Sequence, residues 1–360
     1  MIPDDNRFES DHEQALPDDT PLPAGWEVGG PDPEDPGDVD QLATLLHNHE
    51  AGGRGWGSSG ADEVLVEISE HGIKMRENLV IRDPEGSIRA WGSVHDRAAG
   101  RMMFIHIVDR DLTGSVADRC STVLFDWAEA QARQVGEARG FDPQQIDTGA
   151  FADDERQHKW LENAGFNRVR TWWQMSRPVT PDEASLVPSP DSWENGGVVI
   201  RLVEREGSGM PDENDLRALH EVIEGAFTDH FNHREETFTE IVHRLLEDPG
   251  HRWDHWWLAE ILDSGTPQPA GALVGSLSVS DDGPNGSYVD YIGVLSNARG
   301  RGVAKGLLRT IIADAAARGR NRVGLEVDAD SPTGADGLYT SMGWETRYVT
   351  ESWHKDIPVQ

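Results

Sequence analysis

Val289-Asp290-Tyr291-Ile292-Gly293-Val294, and then Ser296-Asn297-Ala298-Arg299-Gly300-Arg301-Gly302-Val303-Ala304-Lys305, decide how this chain is read. The first run reads as a buried strand, the second as a tight turn that opens a helix. Val303, Ala304, Leu307, Leu308, Ile311, Ile312 and Ala315 recur at the i, i+3, i+4 spacing of one apolar helical face. Gly319 supplies the stop. Gly300 and Gly302 let the backbone turn tightly and bring several N–H groups to one point, with the positive end of the helix dipole behind them. Such a cradle suits phosphate. The side chains agree. From Ser296 to Arg309 there are four cations, Arg299, Arg301, Lys305 and Arg309, and no acid. In a chain of net charge -33, a local positive island calls for an anionic ligand.

Spacing selects among phosphate loops. A nucleoside-triphosphatase loop needs G-x-x-x-x-G-K-[ST], and neither Gly-Lys-Ser nor Gly-Lys-Thr occurs. Gly300-x-Gly302-x-x-x-Gly306 is a loosened dinucleotide loop, but that loop follows the first strand of a parallel βαβ unit. Here three strand-like runs with short connections come first and read as an antiparallel meander. A ligand-free strand-to-helix turn stays open on these few residues alone, so the surrounding order of elements has to decide.

That order starts after a turn-rich linker, Val187 to Gly197. Val198 to Leu202 reads as a strand, and Asp215 to Ala226 as a helix with Leu216, Leu219, Val222 and Ile223 on one face. A second helix is expected over Glu236 to Leu246, and strands over Trp256 to Ile261 and Gly271 to Val279. The opening stretch is the fourth strand. Arg322 to Val327 is the fifth, Ala335 to Met342 a short helix stopped by Gly343, and Glu345 to Ile357 carries the last strands.

This β-α-α-β-β-β-α-β-α-β order, with Arg299-x-x-Gly302-x-Ala304 behind the fourth strand, resembles the GNAT (GCN5-related N-acetyltransferase) family. Ala335-Asp336-Gly337-Leu338-Tyr339-Thr340-Ser341-Met342-Gly343-Trp344 is similar to the family's second signature, Ala-x-x-Leu-Tyr-x-x-x-Gly-Phe. The resemblance covers Val198 to Ile357. Pro23 to Val179 repeats the layout, with a helix over Val39 to His47, strands over Asn78 to Arg82, Ser87 to Val94 and Met102 to Val108, and a helix over Val116 to Gly136. Trp160-Leu161-Glu162-Asn163-Ala164-Gly165-Phe166 echoes the second signature, and Arg168 to Met175 reads as a closing strand. The expected fold is therefore α+β: two GNAT-like domains in tandem, each a mostly antiparallel twisted sheet flanked by helices. The expected limits are a disordered tail at 1–22, a degenerate domain at 23–180, a linker at 181–196 and an acetyltransferase domain at 197–360. Matching the helix faces places Ser115 where Arg299 stands and Asp118 where Gly302 stands, and Leu161 falls at Tyr339. A carboxylate facing a diphosphate is repelled, so the first copy is expected to be structural or to wall the substrate site.

The resemblance implies a chemistry. Acetyl-CoA would lie with its pantetheine and thioester along Ile292, Gly293 and Val294, and its diphosphate on the N–H groups from Arg299 through Gly300, Arg301, Gly302, Val303 and Ala304 to Lys305. Ser331 stands where the family often has an Asn beside the cofactor. Tyr339 would protonate the leaving thiolate. Asp290 is the candidate base for the acceptor amine, or an attraction for its charge. On simple alternation Asp290, Ile292 and Val294 share a face. His230 and His233 fall where the family's substrate-binding helices meet. The layout is similar to that of actinobacterial double-GNAT proteins of the mycothiol synthase kind, which acetylate a cysteinyl amine, but the Glu those enzymes carry near the start of the fourth strand is replaced here by Tyr288. A non-catalytic acyl-CoA sensor is the reading from another class.

Composition bounds the rest. The chain has 360 residues, enough for two domains. Its 32 basic residues against 65 acidic ones argue against nucleic acid and anionic membrane as partners. No apolar run approaches a membrane span, Met1 to Pro23 does not read as a signal peptide, and the single cysteine, Cys120, suits a reducing cytoplasm. No metal-ligand spacing appears. Two domains in one chain make a monomer sufficient.

Overall fold

The computed structural model describes residues 21–69, 76–97, 100–186, 197–207, 209–227, 237–246, 251–262, 266–279, 284–330 and 334–359. His230, His233, Ser331 and most of the expected linker lie outside the described residues. The first half runs β1 (Glu27–Gly29), α1 (Pro36–Arg54), α2 (Ala61–Ile68), β2 (Arg76–Arg82), β3 (Ile88–Arg97), β4 (Arg101–Val108), α3 (Gly114–Arg139), β5 (Gln144–Phe151), α4 (Glu155–Asn163) and β6 (Asn167–Pro178). The second runs β7 (Val198–Leu202), α5 (Glu213–Phe227), α6 (Phe238–Leu246), β8 (His251–Ile261), β9 (Gln268–Ser278), β10 (Gly286–Val294), α7 (Val303–Ala317), β11 (Arg322–Asp328), α8 (Ala335–Ser341) and β12 (Glu345–Ile357). Each half carries the same order of strands and helices.

All twelve strands share one sheet, in the order β1-β2-β3-β4-β5-β12-β6-β11-β10-β9-β8-β7. Among the described residues only β4–β5 and β10–β11 pair in parallel, each across a helical crossover. The expected closing strand of the first half does not close it. β6 pairs with β11, and β12 pairs with β5, so each half sends its last strand into the other half's part of the sheet. The two exchanged strands then pair with each other at the centre. Burial follows the exchange. Met175 of β6 enters the core of the second half with Leu307, Leu308 and Ile311, whereas Trp353 and Ile357 of β12 enter the core of the first with Leu124, Phe125 and Leu161. We therefore speak of an N-terminal lobe (β1–β5, α1–α4 and β12) and a C-terminal lobe (β7–β11, α5–α8 and β6).

Each lobe's part of the sheet is covered on both faces. In the C-terminal lobe α7 buries Val303, Leu307, Leu308, Ile311, Ile312 and Ala315 against one face, as the spacing requires, while Ala304 is half-buried. α5 lays Leu216, Leu219, Val222 and Ile223 on the other face, over Ala272 and Val274 of β9. In the N-terminal lobe α3 takes the place of α7, and α1 with α2 the place of α5. Among the described residues no helix is long and apolar enough to cross a membrane.

Candidate active site

The fourth strand of the C-terminal lobe is irregular where the chemistry was expected. Along β10, Val289 pairs with Gly275 of β9 and Tyr291 with Val274, so Asp290 is the extra residue of a β-bulge. A bulge breaks the alternation of side chains. Val289 lies on the α7 face and Asp290 on the α5 face, where its Oδ1 accepts a hydrogen bond from Ser276 Oγ at 3.1 Å. Tyr291 stays on the α5 face, its ring edge-on to Phe227 at 6.2 Å. Ile292 and Val294 return to the α7 face. The expected common face for Asp290, Ile292 and Val294 is thus corrected: the bulge sends the carboxylate to one side of the sheet and the two apolar residues to the other.

Gly293 also has a different use from the one expected. A Cβ there would sit 2.9 Å from Ala226 Cβ and 3.6 Å from the Val222 carbonyl. The missing side chain lets α5 approach β10 closely, so Gly293 is explained by packing.

Beyond Val289 the sheet opens. β10 and β11 pair at Ser287–Val323, Tyr288–Gly324 and Val289–Leu325, and there the ladder ends. Past that point β10 leads through a short turn at Ser296–Ala298 to the start of α7. Gly302 is the N-cap with φ 79°, a left-handed conformation that costs other residues about 1–2 kcal/mol. No side chain caps this end, no acid lies in the first turn, and the first helical bond runs from Gly306 N to Gly302 O at 2.9 Å. The preceding N–H groups therefore have no acceptor within the helix. Arg299, Arg301 and Lys305 are exposed around them. This donor set fits a diphosphate, and the opening beside it gives an extended chain a route to β10.

Tyr339 lies on the α7 side. It is 7% exposed, belongs to the same core as Ile292 and Val294, and packs on Trp344 with ring centroids 6.1 Å apart. Burial raises its pKa to about 12, so the phenol holds its proton throughout the neutral range. On the α5 side a polar cluster borders the same opening. Tyr288 covers Gly324 and contacts Gln174 of β6 at 3.4 Å, while Gln174 Nε2 donates to Glu326 and, at 3.2 Å, to Thr350 of β12. Burial, and the nearby acids Glu326 and Asp290, push the Tyr288 phenol well above its ordinary range. Arg54, at the end of α1, donates to Tyr348 Oη at 3.1 Å and to Ser58 Oγ, and pairs with Glu50 at 2.8 Å. Trp56 stands edge-on to the Tyr348 ring at 5.4 Å. The N-terminal lobe thus contributes one wall of the cluster, and the exchanged strands β6 and β12 contribute its floor. None of Gln174, Glu326, Arg54 and Tyr348 stood out in the sequence, because strand exchange brings them together.

Comparison with known proteins bears on the fold and on the C-terminal half. Residues 216–344 match the Acetyltransferase (GNAT) family. The fold resembles that of a GCN5-related N-acetyltransferase from Sphaerobacter thermophilus, with a TM-score of 0.71 at 24% identity over 94% of this chain and 98% of that one. It also resembles a tandem GNAT protein from the clavulanic acid biosynthesis pathway, with a TM-score of 0.66 at 13% identity over 92% and 98% of the two chains. The family match thus lies in the C-terminal half, and the fold of the whole chain resembles that of tandem GNAT proteins. In sequence it is similar to a mycothiol acetyltransferase of Frankia casuarinae, 29% identical over 206 residues, or 54% of this chain and 53% of that protein. The chain spans little more than half the length of the curated relatives it matches.

The N-terminal lobe has the same frame with its opening filled. Asp118 in α3 accepts a hydrogen bond from Trp160 Nε1 of α4 at 2.6 Å. Arg156, one turn earlier on α4, donates to the carbonyls of Leu112 at 2.9 Å and Val108 at 3.0 Å, and its guanidinium lies 4.6 Å from the Trp160 ring. Aligning Gly165-Phe166 with Gly343-Trp344 puts Arg156 at Gly334, where a Cβ would meet open space. His106 fills the interior next to Ser121 (3.0 Å) and stacks on Phe125 at 4.5 Å. Burial drops its pKa to about 3.

Proposed function

We propose that the chain is an acetyl-CoA-dependent N-acetyltransferase that moves an acetyl group to the primary amine of a small molecule by direct attack in its C-terminal lobe. One observation carries this reading: the uncapped start of α7 adjoins an opening in the sheet that has Tyr339 on one side and Asp290 on the other. The diphosphate would lie on the N–H groups that follow Gly302, and the acyl chain beside Ile292 and Val294. The acceptor would approach from the α5 side as an ammonium ion. Asp290 takes its proton, directly or through water. The freed nitrogen attacks the thioester carbonyl, and a β10 backbone N–H stabilises the oxyanion. The C–S bond then breaks as Tyr339 passes its proton to the sulfur. The nitrogen, which still carries two protons after attack, loses the second to solvent, and Tyr339 recovers its own proton from solvent. The products are the amide, coenzyme A and one net proton, released as Asp290 returns its own to solvent. A single chain supplies both lobes, and we take the monomer as the working unit.

The mycothiol acetyltransferase relatives favour a cysteinyl amine as one acceptor to try. The two activities, and the non-catalytic sensor, separate in one assay. The protein is incubated with acetyl-CoA and a panel of primary amines that includes a cysteinyl derivative, with coenzyme A release and amide product both followed by mass spectrometry. Amide formation with any amine supports the enzyme. Tight acetyl-CoA binding without product from any amine would leave only the sensor.

A further inference from the structure

Two carboxylates flank the opening in the C-terminal lobe. The β10–β11 ladder ends at Val289–Leu325, and the next residue on each strand is acidic: Asp290 on β10 and Glu326 on β11. Both lie on the α5 face. The bulge places Asp290 there, and alternation places Glu326 there, because Val323, Leu325 and Val327 enter the core under α7. Neighbouring strands lie about 5 Å apart, so the two acids stand on opposite sides of the same gap.

Glu326 is built to meet a cation. The residue keeps part of its surface in solvent, while its carboxylate is desolvated among Tyr288, Gln174 and Asp328. Gln174 Nε2 donates to it, and Gln174 is itself held by Tyr288 and Thr350. Among the described residues no Lys, Arg or His forms an ion pair with it. The cations nearby are committed elsewhere: Arg54 to Glu50, and Arg170 to Asp328 and Asp330. Asp328 on its own strand and Tyr288 of β10 act on it directly, and Tyr288 in turn feels Asp290, Tyr348 of β12 and the Arg54 guanidinium. Arg54 is the cation at the edge of this cluster, held by Glu50 and Tyr348, and among the described residues Glu326 itself has no ion-paired partner. Desolvation and, less strongly, Asp328 raise the Glu326 pKa above its ordinary value against the Gln174 hydrogen bond, and a bound cation would offset the cost of its charge. In the N-terminal lobe the corresponding ladder ends at Phe104–Thr148, and the next residues are Ile105 and Gly149. The paired acids belong to the C-terminal lobe alone.

We infer that Glu326 is the anchor for the acceptor's ammonium group, which it holds across the gap from Asp290, so that the acceptor is a cationic primary amine. This rests on the acetyltransferase reading above and adds to it the residue that selects the substrate's charge. Glu326→Gln keeps the shape and the hydrogen bond to Gln174 while removing the charge. Steady-state rates are measured with tyramine, glucosamine and S-methylcysteine methyl ester as probes, with acetyl-CoA saturating, across pH 6 to 9. The expected result is a KM for the best probe raised about 10-fold or more, a kcat within a few fold, and acetyl-CoA affinity by calorimetry unchanged. Glu326→Asp should recover part of the KM, which loss of a merely structural contact does not predict. Should the Gln variant fail to fold, Glu326→Ala serves, since it keeps the strand register. An unchanged kcat/KM in a folded variant, at every pH, would overturn the inference while leaving the acetyltransferase reading intact. A wild-type protein that binds acetyl-CoA but acetylates none of the three probes would overturn both.

Discussion

At the start of α7 the chain passes through Gly302 in a left-handed turn, and the N–H groups beyond it meet no capping side chain. In the N-terminal lobe α3 begins at Gly114 with Thr113 as its N-cap, so Asp118 lies inside the helix and not at its start. There Trp160 closes on Asp118, and Arg156 covers the carbonyls of Val108 at the end of β4 and Leu112 beyond it. The two lobes also differ one strand away. β10 is bulged at Asp290. β4 keeps unbroken register with β3 from Ala90–Val108 to Arg97–Arg101. One frame thus serves two ends. Where side chains are withheld, at Gly302 and Gly334, backbone donors and an open slot remain for an anionic cosubstrate. Where side chains are supplied, at Asp118, Arg156 and Trp160, the same slot becomes core. The filled lobe still serves the open one, because Arg54, Trp56 and Tyr348 reach the α5 side of the C-terminal opening beside Tyr288.

The contrast breaks most directly at Gly302. Gly302→Asp brings a charge to the diphosphate and a side chain to a left-handed turn. At about 5 Å and an effective dielectric of about 20 the repulsion is roughly 3 kcal/mol per charge pair, and the turn adds about 1–2 kcal/mol. Acetyl-CoA affinity should fall by about 10³-fold or more in calorimetry, with the fold retained by circular dichroism. Affinity within a few fold of wild type would remove the α7 N-terminus from the binding site.

Tyr339 comes next. The lobes differ here as Tyr339 against Leu161. Tyr339→Phe should lower kcat by roughly 10²-fold, the usual scale for a general acid, with acetyl-CoA affinity nearly unchanged. Because burial holds this phenol near 12, the wild-type rate should show no alkaline decline from Tyr339 anywhere in the neutral range. An unimpaired Phe variant would take Tyr339 out of the mechanism.

Asp290 should give a smaller and conditional effect. Asp290→Asn lowers turnover at neutral pH by about 10-fold or more, and the rate recovers as rising pH supplies free amine. A loss confined to KM would make Asp290 an attractor of charge instead of a base.

The filled lobe offers a stability test. Burial pulls His106 to about 3 and His49 to about 4, both below the ordinary 6.5. The folded state then binds fewer protons than the unfolded one below about pH 6.5. Stability from these histidines is complete above that value and is lost as pH falls toward 4. At pH 5 the loss is about 2 kcal/mol for each buried histidine. His106→Leu should therefore flatten the fall in melting temperature between pH 7 and pH 5 by a few degrees. An identical slope in wild type and variant would show that His106 is not buried as a neutral base.

Much of this was legible in residues whose local pattern settles their structure. The apolar face of α7, the stop at Gly319 and the short helix around Tyr339 could all be read directly, whereas the helix-face match that set Asp118 against Gly302 is off by more than a turn, because α3 starts earlier, at Gly114. Two elements could not. α2 is eight residues long and follows a glycine-rich run, so its burial of Val64 and Ile68 is decided by β3 and α1. β5, Gln144 to Phe151, is weakly apolar, and it is held as a strand by β4 and β12 on either side. The exchange of β6 and β12 was invisible because a strand's own residues specify its two faces and not its neighbours. That hid Gln174 and Tyr348 as companions of Tyr288, and left Glu326 looking like an ordinary outward residue of an alternating strand. Gly293 was misread for a related reason. Its lack of a side chain was assigned to the cosubstrate, whereas α5 takes up the space.

The central claim is that one lobe binds and the other does not. Isothermal titration of the full chain with acetyl-CoA measures it. We expect one site per chain, the same stoichiometry and affinity in Asp118→Asn, which keeps the acceptor for Trp160, and no measurable site in Gly302→Asp. Two equivalent sites, or one site that survives Gly302→Asp and disappears in Asp118→Asn, would contradict the account.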